Sequence, residues 1–285
     1  MRVAFFIFTG MLGGILNFQV EAVIISAETA LKMQANGARV VDVRKYPEYK
    51  QAHVKDAVHS YWREFQHNDG SGAVISNLQT LSKKLQALGI SKQQNVVVYA
   101  DTRQGWGEDG HFVWLLKAVG HKKVYMVNGG WHALLKVGAR TDDASVNVLP
   151  GDFAAQPLQF RVSTLELQKN RSRYQLVDSR ESIEFAGATP YGEKRGGHIP
   201  GAISLYFKMF LDNKGYILPR KKIQQILKTA GLSQDRPVAA YCTGGVRSGF
   251  LFVILEWAGY SAFNYDASMW EWSAQNNTVS PLEKI

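Results

Sequence analysis

The sequence predicts an α/β protein of two tandem domains, each a parallel sheet flanked by helices. Three observations carry that expectation: the length of 285 residues, a set of landmarks that recurs once along the chain, and apolar strand-like runs that alternate with helical stretches.

A chain of 285 residues exceeds the usual size of one domain, about 100 to 200 residues. Hydrophobic residues make up 46% and charged residues 20%, enough apolar material for two separate cores and too much for a disordered or fibrous protein. The formal charge of +9 is dispersed, with its densest run at Pro219-Arg220-Lys221-Lys222. Dispersed positive charge suits small anionic substrates. It does not suit nucleic acid, whose binding needs clustered cations beside stacking aromatics.

The recurrence is read from matching landmarks. Val40-Val41-Asp42-Val43-Arg44 corresponds to Leu176-Val177-Asp178-Ser179-Arg180, each a buried-strand pattern ending in Asp-x-Arg. Ala52-His53-Val54-Lys55-Asp56-Ala57-Val58 corresponds to Gly197-His198-Ile199-Pro200-Gly201-Ala202-Ile203, in which each histidine orders a turn. Leu88-Gly89-Ile90-Ser91 followed by Val96-Val97-Val98-Tyr99 matches Ala230-Gly231-Leu232-Ser233 followed by Val238-Ala239-Ala240-Tyr241: a helix end, a glycine stop and a strand. A period this long means duplication of a domain rather than a solenoid. Helical stretches fall at 78–87, 110–118, 221–229 and 248–257, between the strands. The expected organisation is a first domain over 23–140, a linker rich in small and polar residues over 141–157, and a second domain over 158–285.

The first eighteen residues stand apart. Arg2 precedes the apolar run Val3 to Phe8, which continues through Met11, Leu12, Ile15 and Leu16, and Val20-Glu21-Ala22 has the small-residue spacing of a signal peptidase site. Residues 1–22 therefore read as a cleaved secretory signal, and the mature chain as periplasmic or secreted without stable membrane insertion. An uncleaved anchor or a buried first strand is the other reading. In an oxidising compartment one cysteine cannot form an internal disulfide, so Cys242 invites a chemical explanation.

Cys242 follows the strand ending at Tyr241 and precedes Thr243-Gly244-Gly245-Val246-Arg247-Ser248, with a helix expected to start near Arg247 or Ser248. In parallel α/β sheets ligands gather at this strand-to-helix junction. Successive loop amides, the positive end of a helix and a nearby arginine all favour thiolate over thiol. Gly244 and Gly245 suit the tight turn. A buried cysteine that merely fills space is the alternative, and the Gly-Gly loop closing on arginine argues against it.

The paired Asp-x-Arg strands, Gly197 to Ala202, the loop Cys242 to Arg247, and Tyr265-Asp266-Ala267-Ser268-Met269-Trp270-Glu271-Trp272 occur together and in order. In this the chain resembles the tandem-domain rhodaneses, or thiosulfate sulfurtransferases, and their mercaptopyruvate sulfurtransferase relatives. The resemblance covers everything after the signal. It implies two rhodanese-like domains, the first catalytically silent, with Ala100 where the second has Cys242. It implies a double displacement: the Cys242 thiolate takes the outer sulfur of thiosulfate or a similar small anionic donor, and the resulting persulfide passes it to cyanide, a small thiol or a protein thiol. It implies no metal or organic cofactor. Amides from Thr243 through Gly244, Gly245 and Val246 to Ser248 would hold the persulfide, and Arg180 and Arg247 would bind the donor; an arginine after a strand also pairs with a local carboxylate. The sequence departs from the family where some members carry a further donor-binding arginine and this chain has Glu184, and at Ala267 and Met269 of the last motif. The loop interior matches neither the thiosulfate nor the mercaptopyruvate version, which leaves the donor open.

Two other classes place cysteine in such a loop or domain. Phosphatase and arsenate-reductase loops hold five residues between Cys and Arg, whereas Cys242 and Arg247 bracket four. A non-catalytic binding or redox-sensing module stays open. The seven histidines show no metal-ligand spacing, Asn276-Asn277-Thr278 is a sequon that matters only in a eukaryotic secretory setting, and the tryptophans at 106, 114, 131, 257, 270 and 272 read as core and seam packing rather than a binding cage.

Overall fold

The runs Val96–Tyr99 and Val238–Tyr241 are buried along their whole length, as parallel strands covered by helices on both faces must be. They sit inside the two sheets of a computed structural model, which describes residues 23–285; the expected signal at 1–22 lies outside these.

The N-terminal half runs β1 (Ile24–Ile25), α1 (Ala27–Ala35), β2 (Arg39–Asp42), α2 (Tyr46–Gln51), β3 (His53–Val54), β4 (Val58–His59), α3 (Leu78–Ala87), β5 (Val96–Tyr99), α4 (Glu108–Ala118), β6 (Val124–Val127), α5 (Gly130–Lys136) and β7 (Thr141–Asp142). The C-terminal half follows with α6 (Thr164–Asn170), β8 (Gln175–Asp178), α7 (Ser182–Ala186), β9 (Ile203–Ser204), α8 (Arg220–Thr229), β10 (Val238–Tyr241), α9 (Val246–Ala258), β11 (Ala262–Asn264) and α10 (Ser268–Ala274). Five parallel strands in the order β1-β6-β5-β2-β4 form the first sheet, and four in the order β11-β10-β8-β9 the second.

The duplication extends to register and side chains. Asp42 pairs with Tyr99 as Asp178 pairs with Tyr241. The Tyr99 hydroxyl accepts from Val54 N–H, and that of Tyr241 from Ile199 N–H, both at 3.0 Å. His53 stacks on Tyr49 and bonds its carbonyl at 2.9 Å; His198 does the same with Phe185 at 3.0 Å. The two histidines thus hold their turns.

Two expectations change. The segment 141–157 is not simply a linker, because β7 pairs antiparallel with β3, Phe153 is buried, and Gln156 N–H donates to Val119 O; its backbone groups find partners on the first half. Nor are there two separate cores. One buried cluster runs through both halves, joining Trp114 and Leu116 to Phe250 and Phe252, and each half keeps an outer core of its own.

The shared core follows from how α4 and α9 cross. A methyl group on Gly110 would lie 2.4 Å from Phe250 Cα, and one on Gly249 would lie 2.8 Å from His111 Cα. Each helix therefore offers the other a glycine at the end of its first turn. The crossing sits near both N-termini, so the strand-to-helix loops of the two halves meet at one cleft. Among the described residues no helix is long and apolar enough to cross a membrane.

Candidate active site

The loop Cys242–Gly245 joins β10 to α9, and the helix begins at Val246, one or two residues earlier than its sequence indicates. Gly245 supplies the reason: at φ 85° it caps the helix in a left-handed conformation that side chains resist. A methyl there would also lie 2.4 Å from Asp266 O, and one on Gly244 would lie 2.2 Å from the Trp270 ring. Cys242 Sγ, 1% exposed, accepts from Gly245 N–H at 3.1 Å and lies 3.6 Å from the Ser248 hydroxyl. Gly245→Ala is expected to open this amide cradle at a strain cost of about 1–2 kcal/mol, which thermal melting checks.

The segment 265–270 and one residue from the other half staple the loop. Cys242 N–H donates to Ser268 Oγ at 2.9 Å, Met269 N–H to Cys242 O at 3.1 Å, and Trp270 N–H to Thr243 O at 2.8 Å. Gln66 Nε2 donates to Gly244 O at 3.0 Å from the first half. Ala267 has an ordinary helical φ of −64°, so no glycine is needed there, and Met269 is fully buried.

Arg247 is held by a carboxylate. Its guanidinium donates to Glu184 Oε2 at 2.6 Å and Oε1 at 2.8 Å, and to Thr243 Oγ1 at 2.6 Å. Thr243 Oγ1 donates to Glu184 Oε1 at 2.9 Å and lies 3.0 Å from Glu193 Oε1. Burial opposes charge on both partners, yet the pairing wins: Glu184 is held below the ordinary carboxylate range, and Arg247 stays above its usual value through Glu184 and the charge of Cys242. Glu184 therefore neutralises the loop arginine.

Arg180 does not join the site. It is fully buried, bonds Asp178 with Nε at 2.9 Å and Nη2 at 2.6 Å, and donates to Gly197 O at 2.7 Å. Arg44 makes the same bonds to Asp42 and Ala52 O in the half that lacks a cysteine. Asp-x-Arg is thus a clamp between a strand end and the following turn. Its presence in both copies was the available signal.

Cys242 lies at a cavity of about 290 Å³ that Thr243, Gly244, Val246 and Arg247 also line. Tyr191 and Trp270 form one wall; Lys45, Tyr61, Trp62, Arg63, Trp106 and Glu108 of the first half form the other. Two of the tryptophans expected in packing, Trp106 and Trp270, therefore face the cavity, while Trp114 and Trp272 are core residues and Trp131 stacks on Arg44 at 3.9 Å. Arg63 lies over the Trp62 ring at 4.4 Å. None of the first-half residues carries a sequence motif, because the eight-residue loop Ala100–Gly107 brings Trp106 and Glu108 in from the half without the cysteine. Among the described residues no group of three or more His, Cys, Asp or Glu side chains is arranged for a metal.

The model of the rhodanese-like domain matches residues 26–136 and 162–275. The chain is 30% identical over 201 residues to a thiosulfate sulfurtransferase of Pseudomonas aeruginosa, covering 69% of this chain and 72% of that protein. It is 28% identical over 260 residues to a probable 3-mercaptopyruvate sulfurtransferase of the same organism, covering 88% and 89%. A crystal structure of a 3-mercaptopyruvate sulfotransferase from Escherichia coli superposes with a TM-score of 0.74 at 19% identity, over 87% of this chain and 98% of that one.

Proposed function

Since the chain belongs to the rhodanese family of sulfurtransferase enzymes, we propose that it moves a sulfane sulfur from thiosulfate or a similar small donor to cyanide or a thiol through a persulfide on Cys242. The observation that carries this reading is the Gly245 N–H aimed at Cys242 Sγ from 3.1 Å, at the first turn of a buried thirteen-residue helix. That amide and the helix end favour a negative sulfur at this position, as thiolate before the first transfer and as persulfide after it. No proton or electron is needed in the first step: the thiolate attacks the outer sulfur of thiosulfate, the S–S bond breaks, and sulfite leaves with the electron pair.

Donor binding in this reading rests on loop amides and on Lys45 and Arg63, because Glu184 offsets Arg247 and Asp178 offsets Arg180. The proposal includes export, with Val23 the first residue of the mature protein, which amino-terminal sequencing tests.

Incubation with thiosulfate, mercaptopyruvate or a small persulfide, followed by mass measurement and cyanolysis, tests the chemistry. Wild type is expected to gain one cyanide-releasable sulfur and Cys242→Ala none. Absence of releasable sulfur with every donor sinks the proposal and leaves a binding or redox-sensing module.

A further inference from the structure

We propose that Glu108, contributed by the half without the cysteine, is the general base of the acceptor half-reaction and removes the proton of an incoming thiol. The inference rests on the sulfurtransferase reading above. Glu108 is the first residue of α4 and lines the cavity that contains Cys242. The crossing of α4 and α9 sets this proximity: a methyl on the preceding Gly107 would lie 2.6 Å from Phe250 Cβ, one helical turn beyond Val246.

The carboxyl is 7% exposed, and its Oε2 accepts from Trp106 N–H at 2.7 Å. Among the described residues it forms no salt bridge, unlike Glu184 and Asp178. Burial raises its pKa above the ordinary carboxylate value, against its own N–H and that of Trp106, which lower it; Glu48 adds to the rise and Lys45 opposes it. The other charged or titratable groups around it are Asp109 on its own helix, Arg63 and Tyr61 on the same half, and Tyr191, Cys242 and the Glu184-bound Arg247 across the cavity. A buried carboxylate with no cationic partner among the described residues, in a shared cavity with a sulfur nucleophile, is suited to taking a proton.

The step balances without an oxidant. Glu108 takes the S–H proton; the thiolate attacks the outer sulfur of the Cys242 persulfide; the S–S bond breaks and its electron pair returns to Cys242 Sγ, which Gly245 N–H receives. The product persulfide takes the proton from Glu108 as it leaves. Sulfite attacks through its dianion, which is already abundant at pH 7, and needs no base.

Persulfide-loaded protein offers the test, with transfer to cysteamine and to sulfite measured from pH 6 to pH 10. A thiol of pKa about 8.5 is only a few per cent thiolate at pH 7, so a base speeds it by at most about thirtyfold there. In Glu108→Gln the ratio of thiol rate to sulfite rate is expected to fall by about ten- to thirtyfold at pH 7 and to return to the wild-type ratio above the thiol's pKa. Glu108→Asp, which keeps a carboxylate, is expected to lose less and to hold the proposal open to test should the glutamine variant not fold. An unchanged ratio at pH 7, or a deficit as large at pH 10, overturns the assignment. Failure of the wild type to load sulfur at all speaks instead against the sulfurtransferase reading.

Discussion

Glu184→Ala is expected to destabilise the fold by about 3–5 kcal/mol, because it leaves the Arg247 guanidinium buried with a single hydroxyl acceptor. Arg247 is 2% exposed and Glu184 fully buried, so water cannot replace the lost carboxylate. Glu184 also accepts from Glu181 N–H at 3.0 Å as part of a capping box on α7, and the variant loses that cap too. Denaturant unfolding measures the loss; a change below about 1 kcal/mol contradicts the pairing. Glu184→Gln, which keeps the shape, separates charge from packing. Without the negative charge, Arg247 acts on the cavity unopposed, and KM for an anionic donor is expected to fall several-fold. The pair also sets an acid limit. A carboxylate whose folded pKa is lowered contributes stability above its unfolded value of 4.5 and loses it as pH falls below that through the folded value. Wild type should therefore lose stability below about pH 4.5 more steeply than Glu184→Gln.

Asp109→Asn is expected to stabilise the protein at alkaline pH and to do so less in acid. Asp109 is 1% exposed at the seam between α4 and α9; Oδ1 accepts from Gly110 N–H at 2.9 Å, and Oδ2 has no partner among the described residues. Burial, assisted by Glu108, raises its carboxyl from 3.8 to about 7. The folded state thus binds this proton more tightly than the unfolded state, so stability falls as pH rises from 3.8 to about 7. That shift corresponds to about 4 kcal/mol at pH 8, an upper bound. His111, fully buried with neither ring nitrogen bonded among the described residues, is pushed down by burial from 6.5 to about 3, and its contribution is lost as pH falls across that range. The two slopes oppose each other in moderate acid, and only the aspartate acts above about pH 6.5. Melting of the variant and wild type at pH 5 and pH 8 reads the difference, which should grow by about 2–3 kcal/mol. An identical difference at both values rules out a buried aspartate as its source.

Strand-length apolar runs, the glycine stops after α3 and α8, and the Asp-x-Arg elements were legible because each is a local pattern that the backbone answers locally. Helix 78–87 falls where its sequence places it, and the other three helices begin one or two residues before their expected starts. Two of those starts were hidden by the caps: Gly107 and Gly245 take left-handed conformations that a sequence signals only as glycine. The same limit applied to Arg180. Its chemistry suits an anionic substrate or a carboxylate, and two residues away Asp178 was already in place.

By itself the sequence determined the duplicated α/β architecture and the placing of the single cysteine in one copy, with alanine at the matching position of the other, since these are matters of residue type and order along one chain. Tertiary structure decided what surrounds the sulfur. Arg247 meets Glu184 across 63 positions, Gln66 meets Gly244 across 178, and Trp62, Trp106 and Glu108 reach the cavity from the other half. Charge pairing acts over a few ångströms and burial decides its strength, so a partner is chosen by how the elements pack and not by its distance in sequence.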